Sequence, residues 1–170
     1  GGVPLTCPCW AGPPCPNRGG AVLCPGEKGG PHDSIAVDRR TGDQLGPAYR
    51  QINPQCTVPA LRTETGLVLA DNAGIAAYLE ARYPEPPLLG ITPEEKADIA
   101  SWNWRMEFEG LLAIAEALRN SAPAMANRAL PGAANYAQIP ALVERGLVRV
   151  EQFLDTLNAR LAGRAFVATE

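Results

Sequence analysis

The sequence predicts an α/β domain followed by an all-helical one, and three stretches predict it. Residues 53–83 read as strand, tight turn, strand and helix. Residues 83–90, Y-P-E-P-P-L-L-G, interrupt every regular pattern. Beyond them lie two long stretches whose apolar residues recur at three- and four-residue steps. The expected division is an α/β domain over 1–83, a linker over 84–92 and a helical domain over 93–170.

Taken in order, residues 1–30 carry Gly or Pro every few positions, which breaks strands and helices alike. Only residues 3–7 are expected to extend as a strand there. Residues 34–38 alternate as a strand, Arg39 to Asp43 form a polar turn, and residues 46–50 suggest a short irregular helix. Val58, Ala60 and Leu61 make a short apolar run of buried-strand character. Glu64-Thr65-Gly66 supplies a turn with Gly where a positive φ is needed, so residues 67–69 should return antiparallel. Asp71-Asn72 then open a helix with Ile75 and Leu79 on its buried face.

Two details of that unit allow two readings each. Pro59 at a strand start is either an edge-strand proline or the second residue of a cis Val58-Pro59 bond that turns the Val58 N–H and C=O outward. Asp71-Asn72 is either a plain helix cap or, with the free N–H groups and dipole of the helix start, a seat for a ligand carboxylate.

In the second half, Thr92 as cap, Pro93 in the first helical position and Glu94-Glu95 at the positive end open a helix expected to reach Asn120. Trp104, Phe108, Leu111, Ala115 and Leu118 form its expected buried stripe, with Trp102 and Arg105 off it. Residues 121–135 form a loop broken by Pro123 and Pro131-Gly132. A second helix is expected over 136–161, its apolar residues running from Ile139 to Leu161, with Gly163 as its stop.

Composition narrows the class. A net charge of −3 and a pI near 5.3 give no basic stripe for nucleic acid. No apolar run approaches the roughly 20 residues needed to cross a bilayer, so no membrane role is expected and the location should be cytoplasmic. The chain starts with Gly and ends without a helix stop, which reads as the edges of a fragment. Cys7, Cys9, Cys15, Cys24 and Cys56 lack the paired spacing of a zinc site, so no metal is expected. His32, the single histidine, follows Pro31 in a loop and reads as an exposed bystander.

The motif N-P-x-x-x-V-P-A-L, a Gly turn, and an acidic-polar pair opening a helix that ends in Y-L resembles the glutathione-binding half of the glutathione transferase family. The pattern continues upstream in register, with C-P-N at 15–17, E-K-G at 27–29 and the strand at 34–38. The resemblance implies a thioredoxin-like N-terminal domain and a truncated helical C-terminal domain. It implies glutathione as co-substrate, no metal, a small hydrophobic electrophile as second substrate, and a homodimer. Carried over by position, Val58 before a cis Pro59 binds the cysteinyl backbone of glutathione, and Asp71 and Asn72 hold its γ-glutamyl end. Trp102, Arg105 and Phe108 line the second-substrate pocket, the other reading being core packing with a snorkelling Arg.

Cys15 would face the glutathione sulfur. A hydroxyl there stabilises the thiolate for conjugation, whereas a cysteine forms mixed disulfides and favours thiol exchange. Its activation needs a helix start beside it, and residues 18–26 have poor helix chemistry, with two Gly and Pro25. The stretch reads as a damaged helix, such as a reading-frame error corrected before Glu27 would leave; resequencing the gene tests this. Other departures are Cys56 where the family has Gly, and Asp-Asn where it has Glu or Gln followed by Ser. The rival expectation is a non-catalytic module of the same fold, used for binding or dimerisation.

Overall fold

The computed structural model describes residues 7–11, 28 and 32–169, with backbone alone at 7, 8, 10, 11 and 32. The chain divides into two compact units: Gly1–Leu88 with Pro131–Ala133, and Leu89–Leu130 with Ala134–Glu170.

The first unit is built on a four-stranded sheet: β1 (Cys7–Ala11), β2 (His32–Ala36), β3 (Ala60–Arg62) and β4 (Val68–Leu69), in the order β2-β1-β3-β4. β1 and β2 run parallel with Cys9 opposite Ser34, β3 is antiparallel to β1 with Leu61 opposite Cys9, and β4 is antiparallel to β3. Gly66, at φ 88°, makes the turn between β3 and β4. Successive strand residues face opposite sides, so β3 serves two cores. Leu61 joins Cys9, Ile75 and Leu79 on one face. Ala60 joins Val37 and Tyr49 on the other, with Ile52, Val58 and Val68 packed around them. Two helices follow from this layering, α1 (Pro47–Ile52), which supplies Tyr49, and α2 (Asn72–Arg82), which supplies Ile75 and Leu79.

Two strand boundaries differ from expectation. The described first strand is Cys7–Ala11, and of the expected 3–7 only Cys7 lies among the described residues. The second ends at Ala36, because Asp38 turns to bond with Arg40 and Asp43. Residues 12–27, with Cys15 and the suspect helix, also lie outside the described residues.

The second unit is helical: α3 (Pro93–Arg105), a π-helical turn (Met106–Leu111), α4 (Leu112–Ser121) and α5 (Ala141–Leu161). Thr92 and Glu95 form a reciprocal capping box, the Thr92 hydroxyl accepting the Glu95 N–H while Glu95 accepts the Thr92 and Ile91 N–H groups. α5 crosses α4 at Gly146, where any Cβ would lie 2.8 Å from the Ala117 nitrogen and 2.9 Å from the Ala113 oxygen.

The expected stripe is corrected. Trp104, Phe108 and Leu118 are exposed, while Trp102, Gly110, Ala113, Ala117 and Asn120 are buried. The buried residues keep helical spacing across the π turn, so the expected stripe has the right period and the wrong face: Gly110, Ala113 and Ala117 face α5 at Phe153 and Gly146, and the larger Trp104, Phe108 and Leu118 face outward. α5 starts at Ala141 rather than Tyr136: Pro140 stands at its cap, and Tyr136 instead bridges to Arg128. It ends ahead of Gly163, which takes φ 77°. Leu147, Leu154 and Leu161 on α5 are exposed.

Candidate functional site

The loop before β3 is fixed from within by buried polar groups. Asn53, only 2% exposed, donates from Nδ2 to the Thr57 carbonyl at 2.8 Å and the Thr57 hydroxyl at 3.0 Å. Its Oδ1 accepts the Gln55 N–H at 3.0 Å. The Tyr49 hydroxyl donates to the same Thr57 carbonyl at 2.6 Å. Burial pushes the Tyr49 phenol up to about 12, so it stays a donor across the neutral range. Cys56 sits within this loop in the left-handed region at φ 58°. That backbone favours glycine and accounts for the residue type from which Cys56 departs.

Thr57 carries the loop to its neighbour. Its hydroxyl donates to the Ala70 carbonyl at 3.4 Å, which sets Val58 and the following residue beside the segment that enters α2. The Val58-Pro59 bond is cis. The Val58 side chain packs into the Tyr49 core. Neither its N–H nor its C=O enters the turn and loop hydrogen bonds among the described residues. Among the described residues the Val58 N–H and C=O are thus left outside the loop's own bonding.

At the start of α2, Asp71 Oδ1 accepts the Gly74 N–H at 2.6 Å, which is ordinary capping. Asn72 differs. Its Oδ1 is shielded from solvent and has no hydrogen-bond partner among the described residues. A buried acceptor without a donor costs about 1–3 kcal/mol; a rotation of the Asn72 side chain would let a ligand N–H or ammonium satisfy it. The remaining N–H groups of the first turn face an incoming anion. Gln44 Oε1, on the helical turn Asp43–Leu45 of the same unit, is likewise shielded and unpartnered. Sequence reasoning missed Gln44, because a glutamine in a polar turn carries no signal of its own.

The Thr57–Ala70 bond joins the residue before Val58-Pro59 to the residue before Asp71-Asn72. Cys15 lies outside the described residues. Trp102, Arg105 and Phe108 belong to the helical unit. Trp102 is buried, with the guanidinium groups of Arg105 and Arg160 lying 4.7 and 5.2 Å from its ring centre. Arg105 also donates to Glu109 at 3.1 Å. Phe108 is exposed, stacked on Trp104 at 4.9 Å between ring centres. Among the described residues no cluster of three or more His, Cys, Asp or Glu is placed to hold a metal, and no helix is long and apolar enough to cross a membrane.

Residues 14–82 match the model of the glutathione S-transferase N-terminal domain. Over 72 residues the chain is 42% identical to maleylacetoacetate isomerase of Pseudomonas aeruginosa, covering 41% of this chain and 34% of that protein. Over 62 residues it is 44% identical to glutathione S-transferase Z1 of Arabidopsis thaliana, covering 36% of this chain and 28% of that one. The similarity thus spans well under half of each curated relative. Among solved structures, a glutathione S-transferase domain-containing protein of Marinobacter aquaeolei superposes with TM-score 0.83 at 24% identity, covering 96% of this chain and 78% of the other. Ure2p, solved in complex with glutathione, superposes with TM-score 0.77 at 18% identity, covering 99% and 78%.

Proposed function

We propose, for a chain that belongs to the glutathione transferase family through residues 14–82, that it binds glutathione along Val58 and uses the bound thiolate as a nucleophile. The observation that carries the reading is the Thr57–Ala70 bond. It supports a site in which Val58 lies beside the start of α2, where the Asn72 oxygen has no donor among the described residues. The Val58 N–H and C=O pair with the cysteinyl residue of the tripeptide. The γ-glutamyl carboxylate takes the amides opening α2, and its ammonium takes the Asn72 oxygen and the Asp71 carboxylate.

Catalysis then consists of lowering the thiol pKa toward neutral and holding an electrophile beside it. With Cys15 opposite the glutathione sulfur, the thiol-exchange branch follows: the Cys15 thiolate attacks a glutathionyl disulfide, forms a Cys15–glutathione disulfide and expels the partner thiolate, and a second glutathione releases the enzyme. The electrophile is small and apolar, with Phe108, Trp102 and Arg105 contributing to its site. A homodimer in the cytoplasm completes the reading. The name of the Pseudomonas relative adds maleylacetoacetate isomerisation as a second reaction to assay.

The test is a calorimetric glutathione titration of the purified chain, of Asp71→Ala and of Asn72→Leu. We expect each variant to weaken binding about tenfold or more, which is the loss of one charge-assisted bond. Glutathione binding with turnover of a generic aryl halide supports the transferase. Binding without turnover supports a non-catalytic module, and no binding by the wild-type chain sinks both.

A further inference from the structure

Among the described residues the buried polar side chains are Lys28, Asn53, Thr63 and Asn120, and only Lys28 carries a formal charge. Its side chain is fully shielded, whereas that of its partner Glu80 is 18% exposed. A buried ammonium is tolerated only with partners that replace its water. Lys28 has two: Nζ lies 2.5 Å from Glu80 Oε2 and donates to the Pro86 carbonyl at 2.5 Å. The same carboxylate accepts the Leu88 N–H at 3.0 and 3.2 Å from its two oxygens. One charge therefore closes three separate pieces of chain: residue 28, the last turns of α2, and residues 86–88 that leave it.

Magnitude decides what this pair is for. Buried ion pairs stabilise weakly, since an apolar pair of similar volume is often neutral or better. An apolar pair could fill the space but could not direct a bond to the Pro86 carbonyl and the Leu88 N–H. The pair's distinctive product is geometry. Glu80 lies eight residues, about 12 Å of helix rise, from Asn72, at the opposite end of the same helix. At that first end the Asp71 cap is internal to the helix, and one long 3.4 Å bond, Thr57 to Ala70, ties it to the loop. The short bonds that hold α2 along its axis are at the Lys28 end.

We infer that Lys28 is a positioning residue for ligand binding: by pinning Glu80 and the chain at Pro86 and Leu88, it sets where α2 presents Asp71 and Asn72. This rests on the glutathione reading above. It adds a residue that touches no ligand and acts through the helix.

Lys28→Met alone strands the Glu80 carboxylate and is expected to fold poorly. The decisive full-length variant is therefore Lys28→Met with Glu80→Leu, with Lys28→Arg as the conservative partner. Three quantities are measured on each: melting temperature, glutathione affinity, and amide exchange at Leu88. The double variant should melt within about 5 °C of wild type, bind glutathione about tenfold more weakly, and exchange the Leu88 amide about tenfold faster or more. Lys28→Arg should stay near wild type in all three.

A double variant that binds glutathione as tightly as wild type, or protects Leu88 unchanged, overturns the inference. So does a double variant that no longer melts cooperatively, since the pair is then structural. A wild-type chain that binds no glutathione sinks the ligand reading instead, and Leu88 exchange still decides whether Lys28 pins the helix end.

Discussion

The two units hold their chains by opposite means. In the α/β unit the loop over residues 53–58 is a set of directed bonds from Asn53 and Tyr49 onto Thr57, made by side chains that water barely reaches. In the helical unit α4 and α5 meet where side chains are missing. Gly146 lets α5 approach the Ala113 and Ala117 backbone, and Gly110 makes room for the Phe153 ring, which a Cβ would meet at 2.7 Å. The first arrangement fails when a partner is removed, the second when an atom is added.

The helical crossing should break hardest. Gly146→Leu drives a side chain into backbone atoms that cannot rotate away, so we expect a loss of about 3–5 kcal/mol in denaturant unfolding followed by circular dichroism. Gly110→Ala meets a ring edge that can shift and should cost less. A Gly146→Leu protein as stable as wild type would mean the helices do not cross there. On the other side, Asn53→Ala removes three hydrogen bonds and leaves the Gln55 N–H without its acceptor. An expected cost of about 3 kcal/mol should come with weaker glutathione binding, because Thr57 then keeps only its Tyr49 and Ala70 bonds to aim Val58. Equal affinity in the variant would separate the loop from the site.

A third contrast is set by pH. Burial raises the Tyr49 pKa from 10.0 to about 12. The folded state thus holds the proton more tightly than the unfolded chain. Stability is unaffected below pH 10 and falls as pH rises from there through the folded value, by about 1.4 kcal/mol per unit of difference. Tyr49→Phe should flatten that alkaline slope in melts between pH 9 and 12, and an unchanged slope would assign it to other groups.

The same division decides what could be read from the residues alone. Asp71, Thr92 with Glu95, and Gly66 act within three or four residues of themselves, so cap and turn chemistry was legible. The buried face of the first long helix was not. Trp104, Phe108 and Leu111 recur at helical spacing, but so do Trp102, Gly110, Ala113 and Ala117, and it is this second face that is buried. Period alone does not choose between the two faces, and the Gly110–Phe153 contact that marks the inward one joins residues far apart in sequence. Pro140 could have placed the start of α5 correctly, since a proline favours the first turn of a helix over its interior. In the site, Val58, Asp71 and Asn72 came from a motif. Lys28 drew attention only as part of E-K-G, because its partner at Pro86 lies 58 residues away. The left-handed backbone at Cys56 had one advance sign, the glycine expected in its place.

The smallest effect should be at Glu116, the helical unit's own polar tie. Arg145 pairs with its carboxylate through two donors, and Arg149 Nη1 lies 3.7 Å away. The Arg145 hydrogen bonds, then the charges of both arginines, hold the Glu116 carboxyl below its usual range. The stabilisation is therefore present above the ordinary carboxylate value of 4.5 and is lost as pH falls through the lowered folded value. Arg145 is 61% exposed at its side chain, so water and salt screen the pair, and Glu116→Gln should cost less than about 1 kcal/mol. That cost should shrink in high salt and vanish in acid, where the wild-type carboxyl is itself neutral. Arg149 keeps its bond to the Phe108 carbonyl in the variant, so the exposed ring stack should stay in place. A loss at Glu116 as large as that at Asn53 would blur the contrast, because an exposed ion pair of the helical unit would then weigh as much as the buried bonds of the loop.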